Sequence, residues 1–321
     1  MSEKLKGHLV MLVTVIIFGL NIPVTKSLMP DWVSSYGVTL LRMGFACIAF
    51  WLVSLFLPKE KVSGKDMWIM VLGGLFGMVF NQMAFIVGLD MTSSIDAGII
   101  ATVTPLLVML LSAIFLKEPI SLKKAGGVAL GASGALLIIL SGMHSGHSGN
   151  SSFWGNLLCF FSSLSYAIYL IFTRSIIQKY SAVTLMKWMF LYAALMSLPF
   201  GLSDVIHAKA FTAVSEFSVW WRVIYFTLFA TFITYFLIPV ALKRIRPTTV
   251  SMYNYVQPLV ASIAAISIGQ DSLTWEKPVA AVLIFVGVYF VTVSKSRADV
   301  ERMEEEKKWQ KDVKDDCLCD K

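Results

Sequence analysis

Ten stretches of roughly twenty mostly apolar residues constrain this 321-residue chain more than any motif does. They run at about 8–28, 33–57, 67–89, 95–116, 122–141, 153–173, 182–202, 220–242, 248–268 and 276–294. A helix needs about 20 such residues to cross some 30 Å of hydrocarbon. Membrane-spanning strands would be about half that length and would alternate in polarity, and these stretches do not. The first is too long for the core of a signal peptide and carries no small-residue cleavage site, so it reads as a retained span. Composition agrees. Hydrophobic residues make up 57% of the chain and charged residues 15%, against about 25% charged in a soluble domain. A water-soluble enzyme, a disordered chain and a free nucleic-acid binder are therefore excluded. The expected fold class is an all-α polytopic membrane protein with ten transmembrane helices.

The positive charges test that count. With the N-terminus inside and the spans alternating, 15 Lys and Arg fall in or beside inside loops, among them Lys4, Lys59, Lys123, Arg174, Lys243 and Arg246. Only Lys26, Lys209, Arg222 and Lys277 fall outside. Such a bias is the positive-inside signature, and a wrong number of spans would scramble it. Both termini are thus expected in the cytoplasm. The net charge of +7 then reflects topology and contact with anionic lipid.

The chain also repeats itself. Trp68 matches Trp221, Pro105 matches Pro258, Glu118 matches Asp271 and Gly134 matches Gly287, all 153 residues apart. Val38-Thr39-Leu40 recurs as Val183-Thr184-Leu185, with Lys187 in the place of Arg42. The offset changes only across loops, as a duplication requires. Each unit would hold five spans, an odd number, so the second enters the membrane inverted. Two inverted five-helix repeats with a solute site between them is a common transporter plan. The expected division is 1–141 for the first unit, 142–152 for an external linker, 153–294 for the second unit and 295–321 for a cytoplasmic tail.

Phe18-Gly19-Leu20-Asn21 in span 1, Arg42 in span 2, Phe115-Leu116-Lys117-Glu118-Pro119 closing span 4, and the glycine-rich run from Gly126 to Gly134 in span 5 carry a resemblance. Together with the duplication they resemble the EamA-type permeases of the drug/metabolite transporter superfamily, over residues 8–294. The resemblance implies export of small metabolites or amino-acid-like compounds.

Candidate solute-binding residues follow from polarity inside apolar spans, since amides are disfavoured in lipid and turn inward. They are Asn21 in span 1, Asn81 and Gln82 in span 3, Thr102 and Pro105 in span 4, Tyr166 and Tyr169 in span 6, Thr234 and Tyr235 in span 8, and Tyr253, Asn254, Gln257 and Pro258 in span 9. Aromatic faces combined with amides suit a zwitterionic, aromatic or otherwise amphipathic solute. Pro105 and Pro258 each remove a backbone donor, leaving the carbonyls of Ala101 and Asn254 without their usual partner. Both prolines can be read as cavity hinges or as packing kinks. Ser and Thr on the same faces, and the glycines of spans 3 and 5, are read as helix-packing groups. Arg42 and Lys187 are charge candidates, read either as attracting an anion or as snorkelling and pairing structurally. Asp96 is read as a helix cap, with proton coupling as the sharper alternative.

No His, Asp or Glu cluster falls at metal spacing within a span, and no phosphate-cradling loop is present, so neither enzyme chemistry nor a metal or other cofactor is expected. His144 and His147 lie in the Gly/Ser linker and read as solvated. Cys47 and Cys159 read as small buried residues, with no disulfide framework. The tail carries 8 basic and 9 acidic residues and reads as a solvated end. The expected partners are a small-molecule solute and the bilayer. A phosphate-ester or nucleotide-sugar exchanger would need several basic residues facing the cavity, where Arg42 and Lys187 alone are available. An integral-membrane enzyme or lipid-handling protein is the alternative of a different class. The topology is directly testable. A cysteine placed in 142–152 should react with an impermeant thiol reagent in intact cells, and one placed in 297–321 only after permeabilisation. The reverse pattern would overturn the assignment.

Overall fold

The computed structural model describes residues 2–29, 31–91, 103–116, 121–143, 153–211, 217–267 and 276–293. Residues 144–152 of the expected linker, the tail, Asp96, Thr102, Glu118 and Asp271 lie outside these residues, while Gly142 and Met143, expected in the linker, continue the helix that starts at Leu122. Within them every apolar stretch is helical. We label the helices α1 (Glu3–Lys26), α2 (Ser35–Ser54), α3 (Gly64–Met91), α4 (Thr104–Phe115) and α5 (Leu122–Met143), then α6 (Phe153–Phe172), α7 (Ala182–Ile206), α8 (Phe217–Leu242), α9 (247–267) and α10 (Glu276–Val293). Among the described residues four of these, α2, α3, α7 and α8, are both long and apolar enough to cross a membrane. Large apolar side chains face outward, including Ile48, Leu52, Phe200, Val282, Phe285 and Tyr289. That outer surface suits lipid, which is as apolar as the side chains themselves.

The helix packing follows the duplication read in the sequence. α2 packs against α7, and α5 against α10. Each of these pairs joins a helix to its counterpart five places later. The other major contacts come in matched sets: α3 on α6 with α8 on α1, α4 on α6 with α9 on α1, and α3 on α7 with α8 on α2. Exchanging the two sets of five helices therefore maps the packing onto itself.

α2 and α7 run antiparallel. Gly201 late in α7 meets Tyr36 early in α2, and Phe50 stacks on Phe190 at 5.6 Å. At one end the hydroxyl of Ser34, the N-cap of α2, donates to Asp204. At the other end Glu60 takes hydrogen bonds from the backbone N–H and hydroxyl of Ser181, the N-cap of α7, at 3.0–3.2 Å. Partial burial pushes the Glu60 carboxyl up, but hydrogen bonds with Thr184 and Ser181 and the Lys243 charge hold it below its ordinary value. Both counterpart helices thus start at a serine cap, worth about 1 kcal/mol each.

Close approach at the two central pairs rests on glycine. A Cβ on Gly287 of α10 would lie 2.6 Å from the Gly127 carbonyl oxygen of α5, and one on Gly201 would lie 2.6 Å from the Tyr36 carbonyl oxygen. Backbone cannot swing aside as a side chain can. Gly201→Ala should therefore lower stability by about 1–3 kcal/mol, read as a fall in the thermal unfolding midpoint of the detergent-solubilised protein. Gly44→Ala, in the same α2–α7 layer with no atom within 4 Å, should leave the midpoint unchanged or raise it.

Candidate functional site

The middle of α3 and the middle of α8 depart from ordinary winding. Leu75–Met83 and Tyr225–Ile233 are π-helical. They begin 150 residues apart, at equivalent places in the two sets of five helices. A π-helical turn bonds each residue five places back instead of four, and such turns are frequent at functional sites. Asn81 and Gln82 lie within the first, Thr227 and Thr231 within the second, and Thr234 and Tyr235 begin the winding that follows it.

These side chains form one connected network. The Gln82 amide donates to the Tyr235 hydroxyl at 2.9 Å and to the Asn81 side-chain carbonyl at 3.0 Å. Asn81 Nδ2 donates to the Ser162 hydroxyl at 3.1 Å, and that hydroxyl donates to the Asn81 backbone carbonyl at 2.7 Å. The Tyr235 hydroxyl donates to the Gly77 carbonyl at 3.3 Å. α3, α6 and α8 are thereby joined in the interior. The Tyr235 ring lies between Phe18 of α1 and Phe190 of α7, edge-on to both. Tyr166 and Tyr169 stack at 5.9 Å. The Tyr169 ring lies so near α3 that a Cβ on Gly77 would come within 2.5 Å of it. Among the described residues the buried Tyr169 hydroxyl has no hydrogen-bond partner.

Arg42 is 3% exposed. Its Nε donates to Thr231 Oγ1 at 2.7 Å and its Nη2 to the Ala230 carbonyl at 3.0 Å. No carboxylate bonds it among the described residues. Its counterpart Lys187 takes a different course, with Nζ 5.3 Å from the Trp51 ring centroid and 6.0 Å from that of Trp188. Indole faces attract a cation through their quadrupole.

The remaining candidates are dispersed. Asn21 is buried and accepts a hydrogen bond from Thr25 within α1. The Thr234 hydroxyl donates to the Ala230 carbonyl of its own helix. Pro105 is buried in the first turn of α4, where a helix has no use for its missing N–H. α9 tightens to 3-10 winding at Tyr253–Tyr255, just before Pro258. Gln257 donates to Asn254 at 3.3 Å on the side facing α1, where Gly19 approaches the Gln257 carbonyl. Tyr253 stands apart from Tyr166, Tyr169 and Tyr235, its hydroxyl 2.8 Å from His8 Nδ1 at the end of the bundle. Spacing singles out neither the two π-helical segments nor the Phe190 ring, and Phe18 enters only as part of the Phe18–Asn21 run that carries the resemblance. Gly77 was the one available signal, and it had been read as a packing glycine.

The Arg42 contacts carry a measurable consequence. Thr231→Val keeps the shape but leaves Arg42 Nε without its partner in the interior. It should cost about 1–3 kcal/mol, seen as a lower unfolding midpoint. Ser27→Ala, which removes an exposed hydroxyl bonded to the Val24 carbonyl just past the end of α1, should cost nothing measurable.

Comparison with known proteins extends this geometry. Residues 5–140 and 153–293 each match the model of the EamA-like transporter family. An "uncharacterized transporter" of Archaeoglobus fulgidus is 23% identical over 89% of this chain and 99% of its own length. The "uncharacterized transporter YetK" of Bacillus subtilis is 23% identical over 77% of this chain and 74% of its own. The "uncharacterized inner membrane transporter YedA" of Escherichia coli is 26% identical over 64% of each chain. One crystal structure superposes with a TM-score of 0.74 over 90% of this chain and 98% of that one, at 18% identity, and so shares the fold.

Proposed function

The chain belongs to the EamA-like transporter family, and we propose that this multi-pass membrane transporter is a secondary carrier that exports small amino-acid-like or aromatic, amphipathic metabolites. The observation that carries the reading is the polar network of Asn81, Gln82, Ser162 and Tyr235, with Arg42 of α2 bonded to α8 beside it. It lies in the apolar interior and draws on both sets of five helices. The half-buried amides of Asn81 and Gln82 and the buried Tyr235 phenol are costly in hydrocarbon unless they are bonded or bind something. They are concentrated here where α3 and α8 both change winding.

In this reading residues 1–141 and 153–294 form two inverted units. The antiparallel pairing of the counterparts α2 and α7 supports that arrangement. The carrier alternates access by rocking one unit against the other around the central residues, with Tyr166, Tyr169 and Tyr235 facing an aromatic or aliphatic moiety and Asn81 and Gln82 a polar one. Asn254 and Gln257, in and beside the 3-10 turn of α9 and just before Pro258, line the path from the α1 side. The protein lies in the cell membrane with both termini cytoplasmic, as the charge bias and the name of the YedA relative support. No cofactor and no catalysis enter the cycle. Asp96, read from the sequence as a cap, does not carry protons.

The test is flux in proteoliposomes, with a panel of amino acids and aromatic carboxylates loaded inside and assayed with and without an imposed pH gradient. At least one compound should move down its gradient. Gln82→Leu should cut that flux by about tenfold at matched protein level, the scale expected for losing a buried polar contact. Asp96→Asn should retain both the flux and its response to pH, since Asn caps about as well as Asp. Absence of any flux would refute the carrier reading. A pH response abolished in Asp96→Asn would refute the assignment of Asp96 as a cap.

A further inference from the structure

Hydroxyls along α6 are spent on backbone carbonyls. Ser162 donates to the Asn81 carbonyl at 2.7 Å and Ser165 to the Phe76 carbonyl at 2.8 Å. Thr173, just past the end of α6, donates to the Tyr169 carbonyl at 2.6 Å. Tyr235 of α8, as buried as Tyr169, accepts from Gln82 and donates to the Gly77 carbonyl. The hydroxyl of Tyr169 breaks this habit. The residue is 1% exposed, and its oxygen has no hydrogen-bond partner among the described residues. Buried polar groups are nearly always bonded, and an exception calls for a physical reason.

Packing does not supply one. The Tyr169 ring stacks on Tyr166 at 5.9 Å and lies so close to α3 that a Cβ on Gly77 would come within 2.5 Å of it. A phenylalanine ring would make both contacts without placing an unpaired oxygen in an apolar interior, where it is costly. Gly77 belongs to the π-helical segment Leu75–Met83. The ring therefore rests on the stretch of α3 whose winding is altered, two residues after the carbonyl of Leu75 and four before Asn81 of the polar network.

Resting on the carrier reading above, we propose that Tyr169 is a specificity-determining residue, whose hydroxyl pairs with a hydroxyl on the aromatic ring of the solute. The solute class narrows accordingly, from aromatic metabolites in general to ring-hydroxylated ones. A phenol both donates and accepts, and so does a ring hydroxyl, so the pair can form in either direction. Offset stacking of an aromatic ring on the Tyr166–Tyr169 pair brings its substituent beside theirs. The hydroxyl is covered in the structure, and a shift of α3 at its altered winding, carrying Gly77 with it, uncovers it. A site that leaves a polar group unpaired rejects an analogue unable to pair it far more strongly than an apolar pocket rejects an added group. Both ends of the solute are then read by polar groups, the amino-acid-like end by Asn81 and Gln82 and the ring by Tyr169.

The test uses the full-length protein in detergent and reads binding as the rise in unfolding midpoint with added compound, which requires no flux. Two matched pairs are titrated, tyrosine with phenylalanine and 4-hydroxybenzoate with benzoate. At least one hydroxylated member should bind about tenfold or more tightly than its partner, the factor expected for one buried hydrogen bond. Tyr169→Phe should bring that pair near parity, and Ser27→Ala, at an exposed position past the end of α1, should keep the preference. Without any compound, Tyr169→Phe should unfold at or above the wild-type midpoint, because the hydroxyl it removes bonds nothing in the described protein. Tyr235→Phe should unfold lower, because it takes an acceptor from the Gln82 amide. Three outcomes would overturn the proposal. One is no preference in either pair, absence of binding by all four compounds included. Another is a preference that survives Tyr169→Phe. The third is a midpoint lowered in Tyr169→Phe as in Tyr235→Phe, which would mean that the hydroxyl is already bonded without solute. The carrier reading is judged separately, by flux. A compound that moves in proteoliposomes while its hydroxylated analogue binds no better refutes this role of Tyr169 and leaves the carrier standing; a preference without flux of any compound does the reverse.

Discussion

Every peptide group inside hydrocarbon must find a partner, because water is not there to supply one and each unpaired group costs several kcal/mol. Regular helices meet that demand unaided. The two π-helical segments meet it less well, and the polar side chains of the interior converge on their carbonyls. Ser165 donates to the Phe76 carbonyl at 2.8 Å, Tyr235 to Gly77 and Ser162 to Asn81. Arg42 donates to the Ala230 carbonyl, and Thr231 to Phe226, five residues back, at 2.7 Å. Residues that look like a solute site therefore also hold the loosened backbone. The two roles are compatible. A hydrogen bond to a carbonyl in a widened turn is one that a solute group or a change of winding can replace, whereas a bond inside a regular helix is not.

The same constraint explains why the central pairs are so tightly built. α2 against α7 and α5 against α10 join counterparts, so any rocking of one set of five helices on the other turns about these contacts. Gly201 and Gly287 let backbone meet backbone there, and small residues are what close helix packing in lipid requires. The serine caps at the two ends of the α2–α7 pair add fixed points, one to Asp204 and one to Glu60. Such contacts leave little space within these two pairs, whereas α3 and α8 carry the altered winding.

Much of this was legible in the sequence. Span positions follow from length and apolarity, and the duplication from paired Trp, Pro and Gly, because those quantities are local and periodic. The polarity of Asn81, Gln82 and Tyr235 was equally plain. What could not be read was the partner of each group. Helical spacing placed Tyr253, Asn254 and Gln257 on one face of α9, but a face does not say which helix it meets, and Tyr253 meets His8 of α1. Arg42 had no sequence-level partner because Thr231 lies 189 residues away. The π-helical winding is encoded in no residue type. It arises from how neighbouring helices accommodate one extra residue, and only packing displays it.

The cations show three separate solutions to one electrostatic problem. Lys187 faces two indole rings, Arg244 pairs with Glu3 at the end of the bundle, and Arg42 relies on a hydroxyl and a carbonyl oxygen. Only the third leaves a full charge in the interior without an opposite one among the described residues. Dipoles lower its cost without neutralising it, and a Coulomb interaction in low dielectric stays strong over several ångströms. A zwitterionic solute reaching the polar network would gain most with its carboxylate turned toward α2 and its apolar part toward Tyr166 and Tyr169. The position of Arg42 relative to those rings thus gives the proposed solute a preferred orientation, a property that hydrogen bonds among neutral side chains do not confer by themselves.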